Sequence, residues 1–232
     1  MYTHLFFDCD GTLFDFDQSE QLAFGLTAQA FGFDDSLLPL YHQINLQCWK
    51  EFEKGSLTME DLNIERFIRF FQLTNCKADA LQASPYFVKR LSCLGIPYPQ
   101  AKETLQTLKE RGYHLNIASN GFSSVQHGRL QTSGLARFFE HFFISEEMHC
   151  QKPNTLFFTK MLQETNLRGH EEEALIIGDS LTSDIRGGID AGLDTVWYNP
   201  LSNEEDPNCK ATLQISELTE LLHILPALPR HQ

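Results

Sequence analysis

The chain has 232 residues, 42% of them hydrophobic, and a formal net charge of −13 at pH 7. That length buries a substantial interior, as one large domain or as a core with a smaller insert, whereas the acidic balance and the lack of any Lys/Arg run exclude a general binder of nucleic-acid polymers or anionic membranes. No apolar run approaches membrane length, and the six cysteines are scattered, with no CxxC and no signal-like segment before them, so free thiols in a cytoplasmic protein are expected.

The first element is Leu5-Phe6-Phe7, an apolar run of the kind found in a strand covered on both faces. It stops in Asp8-Cys9-Asp10-Gly11-Thr12-Leu13. Gly11 permits a tight turn, and residues two apart on an extended segment project the same way, so Asp8 and Asp10 are expected to share one site at the strand's carboxyl end. Two carboxylates that close fit a metal site or an acid and nucleophile pair; a surface turn is the plain alternative.

Between Phe14 and Pro97 the pattern is helical. Ser19 to Phe31 ends near Gly32, Ser36 to Glu53 stops at Gly55, Thr58 resembles a capping hydroxyl ahead of Leu62, Ile68 and Phe71, and a last helix over 78–94 is expected to be interrupted by Pro85. Asn45 and Trp49 stand one helical turn apart, where they could hydrogen-bond and stack a base; a buried structural Trp is the alternative.

From Pro99 strands and helices alternate, which predicts a parallel sheet with crossover helices. His114 to Ala118 runs into Ser119-Asn120-Gly121, Phe142 to Ser145 into Glu146-Glu147, and Ala174 to Ile177 into Gly178-Asp179 with Asp184 beyond. Lys152-Pro153-Asn154 opens a helix, Thr195 to Tyr198 is a further strand, and Ser216 to Leu225 a closing helix. Singly, Lys152 reads as an exposed lysine, Ser119-Asn120-Gly121 as a turn, and Asp184 as a helix cap. Together they place complementary polar groups at several strand ends along one ligand-binding edge.

In this order and spacing the chain resembles the haloacid dehalogenase superfamily. The four motifs are Asp8-Cys9-Asp10-Gly11-Thr12-Leu13, Ser119-Asn120-Gly121, Lys152-Pro153, and Gly178-Asp179 with Asp184. The resemblance implies an α/β fold, with a Rossmann-like core of parallel sheet flanked by helices over 1–15 and 97–232 and an inserted α-helical cap domain over 16–96. It implies Asp8 as nucleophile, forming an aspartyl-phosphate, and Asp10 as general acid and base. Ser119, Asn120 and Lys152 would hold phosphate, and Mg²⁺ would sit on Asp8, Asp179 and the Asp10 carbonyl, with Asp184 behind them. A cation is required on electrostatic grounds: at about 4 Å and an effective dielectric near ~20, like unit charges repel by ~4 kcal/mol, and Asp8 must face a dianionic phosphate.

Ser119-Asn120-Gly121-Phe122, Ile144-Ser145-Glu146-Glu147 and the Asn45 to Trp49 spacing are similar to the branch of nucleoside 5′-monophosphate phosphatases active on pyrimidine and noncanonical nucleotides. The implied partner is a small phosphate monoester, a nucleotide. Phosphosugar phosphatases and mutases share the core motifs. A phosphonate hydrolase would need a reactive cap lysine, for which nothing around Lys50 or Lys54 speaks, and a non-catalytic binding domain would not need the intact charged set.

Overall fold

In the computed structural model, which describes residues 1–204 and 206–229, the sheet has six strands in the order β3-β2-β1-β4-β5-β6, every neighbouring pair parallel. The strands are β1 (His4–Phe7), β2 (His114–Ser119), β3 (His141–Ile144), β4 (Ala174–Gly178), β5 (Asp194–Tyr198) and β6 (Leu213–Ile215). β1 lies between β2 and β4, with Phe7 level with Ile117 on one side and Ile177 on the other. The chain runs outward from β1 to β3, then returns to the other side of β1, so the switch in strand order falls between β1 and β4. There the connections leave in opposite directions and open a crevice at the carboxyl ends.

Helices cover both faces: α5 (Ala101–Glu110), α6 (Ser123–Thr132), the short α7 (Ser145–Met148), α8 (Thr155–Glu164), α9 (Arg186–Asp190) and α10 (Leu221–Ile224). Leu5, Phe7, Ile117 and Ile177 point to one side with Leu105 and Leu108, whereas Phe6 and Ile176 point to the other with Phe157, Phe158 and Met161. Because both faces are covered, β1 is apolar at its three buried positions, Leu5 to Phe7.

Before α5 come α1 (Phe16–Phe31), α2 (Leu38–Glu53), α3 (Met59–Thr74) and α4 (Ala80–Leu91). They bury a cluster of their own around Phe24, Tyr41, Phe67, Phe70 and Phe87, which Phe122 and Val125 of the α6 region join. The Thr58 hydroxyl accepts from the Asp61 N–H at 3.1 Å, as its sequence predicts. α1 starts earlier than Ser19 because Asp15 caps it. Helix α4 runs through Pro85 without a break. The proline removes the donor to the carbonyl four residues back, at Leu81, a residue on the solvent side and 64% exposed, where the loss is least costly. The end of the chain also differs from its sequence pattern: β6 is an added edge strand, and the closing helix shrinks to a turn at Leu218–Glu220 followed by α10.

At the amino end of the central strands, His4 stacks on its register partner His114 at 4.5 Å. Burial first, and the adjacent His114 second, push the His4 pKa from 6.5 down to about 4. The unfolded chain therefore takes up this proton more readily than the folded one, and the stability held by neutral His4 is full above 6.5 and lost as pH falls towards 4. Relative to His4→Gln, the wild-type urea midpoint is expected to fall between about pH 7.5 and about pH 5; parallel midpoints in the two proteins would contradict this.

Candidate active site

Asp8 follows directly on β1 and Asp179 on β4, so the crevice between these strands begins with two carboxylates. Asp184 reaches the same place from the turn Leu181–Ile185. One oxygen from each of the three acids falls within 4.8 Å of the others. Gly11 turns the chain here with φ of 81°, and a Cβ at that position would collide with the Asp179 carboxylate. Thr12 donates its hydroxyl to Asp179 Oδ1 at 3.2 Å, and Trp197 donates its indole N–H to the Asp179 carbonyl at 2.8 Å.

The cation among these acids is Lys152, 1% exposed. Its ammonium donates to Asp8 Oδ1 at 2.8 Å, to the Ala118 carbonyl at 2.6 Å and to Asp184 Oδ1. All three donors are thus engaged within the protein, and what Lys152 offers a ligand is its charge rather than a free hydrogen. Burial alone would lower its pKa, but Asp184 and Asp8 outweigh that and hold it above its ordinary value. Burial raises Asp8 well above the usual carboxylate range, against the pull of Lys152 and with Asp184, Asp179 and Asp10 adding to it. Burial, then Asp184, pushes Asp179 up to about 7, with Thr12 and Lys152 acting in the opposite direction.

The Asn120 amide donates to the Lys152 carbonyl at 2.8 Å and its oxygen accepts from the Lys152 N–H at 2.9 Å. Its side chain therefore clamps the loop that carries the lysine. Ser119 is wholly buried, and its hydroxyl has no hydrogen-bond partner among the described residues. Ser145, Glu146 and Glu147 form the first turn of α7 rather than a strand end, and they brace this loop. Ser145 Oγ accepts from the Gly121 N–H at 3.1 Å, and Glu146 accepts from the Ser123 N–H at 2.7 Å at the start of α6, where a negative charge is favoured.

Asp10 has different neighbours. Strict alternation does not carry past Asp8, because the N–H groups of Leu13 and Phe14 both turn back onto the Cys9 carbonyl. The Asp10 carboxylate accepts from Gln126 Nε2 at 2.7 Å and from Arg129 Nη1, both on α6. No sequence pattern singled out Gln126 or Arg129, since an arginine among polar residues on a helix reads as exposed, yet Arg129 is 0% exposed.

A cavity of about 170 Å³ is lined by Asp8, Asp10, Trp49, Glu53, Asn120, Asp179 and Asp184 among others. Beside it lies a wider cleft of about 890 Å³ that shares Asp10, Phe16 and Asp179. Trp49 thus faces the acids, from α2 above the strand ends. Asn45 does not: it is 1% exposed, donates to Glu20 Oε1 at 2.7 Å and accepts from Arg66 Nη1 at 3.4 Å. One turn earlier on α2 lies beneath α1 and α3, where the buried Glu20 and Arg66 require a polar partner. The residue that joins Trp49 at the cavity is Glu53, one turn later.

The sequence model of the haloacid dehalogenase-like hydrolase family matches residues 2–192. The chain belongs to this family. It is 36% identical to pyrimidine 5′-nucleotidase PynA of Streptococcus pneumoniae, over 97% of this chain and 95% of that protein, and 32% identical to pyrimidine 5′-nucleotidase YjjG of Escherichia coli, over 95% and 96%. The crystal structure of the HAD-hydrolase YfnB of Bacillus subtilis bound to magnesium superposes with a TM-score of 0.89 at 34% identity, covering 96% of this chain and 98% of that one. The haloacid dehalogenase of Xanthobacter autotrophicus, at 17% identity and a TM-score of 0.79, shares the fold.

The acids of this family member suit a hard divalent cation. Asp8, Asp179 and Asp184 bring clustered carboxylate oxygens, the ligand type such ions take, and Lys152 is a single positive charge against three acids. Mg²⁺ added to metal-free protein is expected to raise its melting temperature, and Asp179→Asn to abolish most of that rise, read by differential scanning fluorimetry. An equal rise in both proteins would remove Asp179 from the site.

Proposed function

We propose that the chain is a Mg²⁺-dependent phosphomonoester hydrolase that works through an aspartyl-phosphate, acting on nucleoside 5′-monophosphates with pyrimidine or noncanonical bases in the cytoplasm. The observation that carries the reaction type is Lys152, buried between Asp8 and Asp184 at the switch point. A structural lysine has no need of such a place, and an attacking carboxylate facing a phosphate dianion does. The names of the two nucleotidase relatives support the substrate class. The free cysteines support the compartment.

In this reading Asp8 attacks phosphorus while the bond to the ester oxygen breaks, and Asp10 delivers a proton to that oxygen. Asp10 then takes a proton from the water that attacks the Asp8-bound phosphoryl group, releasing phosphate and restoring Asp8. Ser119 Oγ, wholly buried and unpartnered, has a donor to give a phosphoryl oxygen. Asn120 acts by holding Lys152 in place. Asp8, Asp179 and the Asp10 carbonyl would hold a magnesium ion, which when bound would supply positive charge against the phosphate.

Residues 16–96 serve as the cap, and the specificity contact passes from Asn45 to Glu53. Trp49 offers an aromatic face to a base. Burial raises the Glu53 pKa, against a hydrogen bond from Thr182 and with Asp184 adding to the rise. A carboxyl group there accepts from ribose hydroxyls or a base N–H and opposes a second phosphate, which favours a monophosphate over a bisphosphate. The interdomain movement of the magnesium-bound B. subtilis relative supports a cap that opens and closes.

With Mg²⁺, purified protein is expected to release phosphate from pyrimidine monophosphates faster than from sugar phosphates, and Asp8→Asn to reduce release to background. Turnover of sugar phosphates alone would refute the substrate class, and net phosphate release separates hydrolysis from mutase chemistry. Trp49→Ala is expected to raise KM for the nucleotide about tenfold, the size of one lost base stack, while leaving KM for a small aryl phosphate nearly unchanged.

A further inference from the structure

Arg129 is among the largest side chains in the molecule that are wholly withdrawn from water. Burying a guanidinium is costly unless a carboxylate meets it, and the one that does so is Asp10, 119 positions away in sequence. Gln126, three residues earlier on α6 and 1% exposed, donates to the other oxygen of the same carboxylate. Positions three apart share a helix face, so α6 presents an amide and a guanidinium as a two-point holder for one acid. Neither residue lines the cavity at Asp8, Asp179 and Asp184, so neither is placed to touch phosphate there.

Arg129 also contacts both segments that join the helical unit to the sheet. Its Nε donates to the Leu94 carbonyl at 3.3 Å, and its guanidinium lies 4.6 Å from the ring centre of Phe14 and 5.9 Å from that of Phe16. The two segments are themselves tied together by a bridge between Phe14 and Pro97 and by the Asp15 N–H on the Ile96 carbonyl at 2.9 Å. At Gly95 the second segment presses so closely on the Arg129 carbonyl that a Cβ would overlap it.

We infer that Arg129 and Gln126 are positioning residues that aim the Asp10 carboxylate and tie its placement to the two segments entering and leaving the cap. The inference rests on Asp10 being the proton donor of the proposed reaction. A cap displacement strains the Phe14 to Phe16 and Leu94 to Pro97 segments, and the guanidinium resting on both transmits that displacement to the acid. Proton donation is thereby coupled to the state of the cap.

The test uses leaving groups. kcat/KM covers the path up to departure of the ester oxygen, and a nucleotide's alkoxide needs a proton there whereas p-nitrophenolate does not. Full-length wild type, Asp10→Asn, Arg129→Lys and Gln126→Ala are compared on uridine monophosphate and p-nitrophenyl phosphate. Arg129→Lys and Gln126→Ala are expected to lower kcat/KM for the nucleotide about tenfold or more and for the aryl phosphate about twofold at most. Phe14→Leu, one contact removed, is expected to give the same split in smaller measure. An equal fall on both substrates, as a merely structural ion pair would give, or no fall on either, overturns the inference. If Asp10→Asn shows the split and the α6 variants do not, this inference alone fails. If Asp10→Asn shows no split, the assignment of Asp10 as the acid fails and takes this inference with it. Should Arg129→Lys not fold, Gln126→Ala decides.

Discussion

The arrangement depends on one electrostatic constraint: three carboxylates are gathered in a buried crevice around a single ammonium. Burial, with the charge of Asp184 adding to it, raises Asp8 and Asp179 above the usual carboxylate range, and Lys152 restrains only part of that rise. Left alone, such a cluster takes up protons or moves apart. Much of the local structure holds it together instead. Gly11 lets the first loop pass against Asp179, Thr12 of that loop and Trp197 of β5 each hydrogen-bond Asp179, and Asn120 pins both backbone polar groups of Lys152. A site kept compact against its own repulsion is primed for a divalent cation, which relieves the repulsion instead of being pulled in by it.

The cap answers a different need. Its interior is aromatic, with Phe24, Tyr41, Phe67, Phe70 and Phe87 in mutual contact, and through it runs a polar line of Glu20, Asn45 and Arg66. Arg66 also stacks over Phe87 and Phe122, so this line reaches the α6 region. Asn45 is therefore committed to keeping the helices in register, and the face that meets the cavity begins at Trp49 and continues to Glu53.

How much of this was legible in the sequence follows from what each residue's neighbours are. Strand β1 and strand β4 could be read because buried parallel strands are apolar throughout and end abruptly, so Asp8 and Asp179 mark the crevice by contrast. Thr58 and the glycine stops are local chemistry and could be read locally. Asn45 and Trp49 share a helix face by spacing, but spacing does not say that Glu20 and Arg66 occupy the space next to the first of them. Lys152 reads as exposed unless the strand-end acids are already assembled around it. Gln126 and Arg129 carry no signal at all, because their partner is brought to them only by the register of β1 against β2 and by the close approach of Gly95 to α6. β6 is three residues long and alternates too briefly to be distinguished from a loop.

One intervening residue is enough to give two chemically identical acids different surroundings. Asp8 continues the line of β1 and meets Lys152 across the crevice, while the chain folds back on the Cys9 carbonyl and brings Asp10 round to α6. Each carboxylate thus acquires its own cation, and the two cations come from elements on opposite faces of the sheet: Lys152 from the loop before α8, Arg129 from α6. Had alternation persisted through Asp10, both acids would have competed for Lys152, and no geometric difference would separate the two roles proposed for them. Environments that differ are how paired carboxylates divide nucleophile from acid. In the proposed reaction that division is made by a turn of the backbone rather than by a change of residue type, so the turn at Cys9 to Gly11 belongs to the candidate site as much as the side chains it carries.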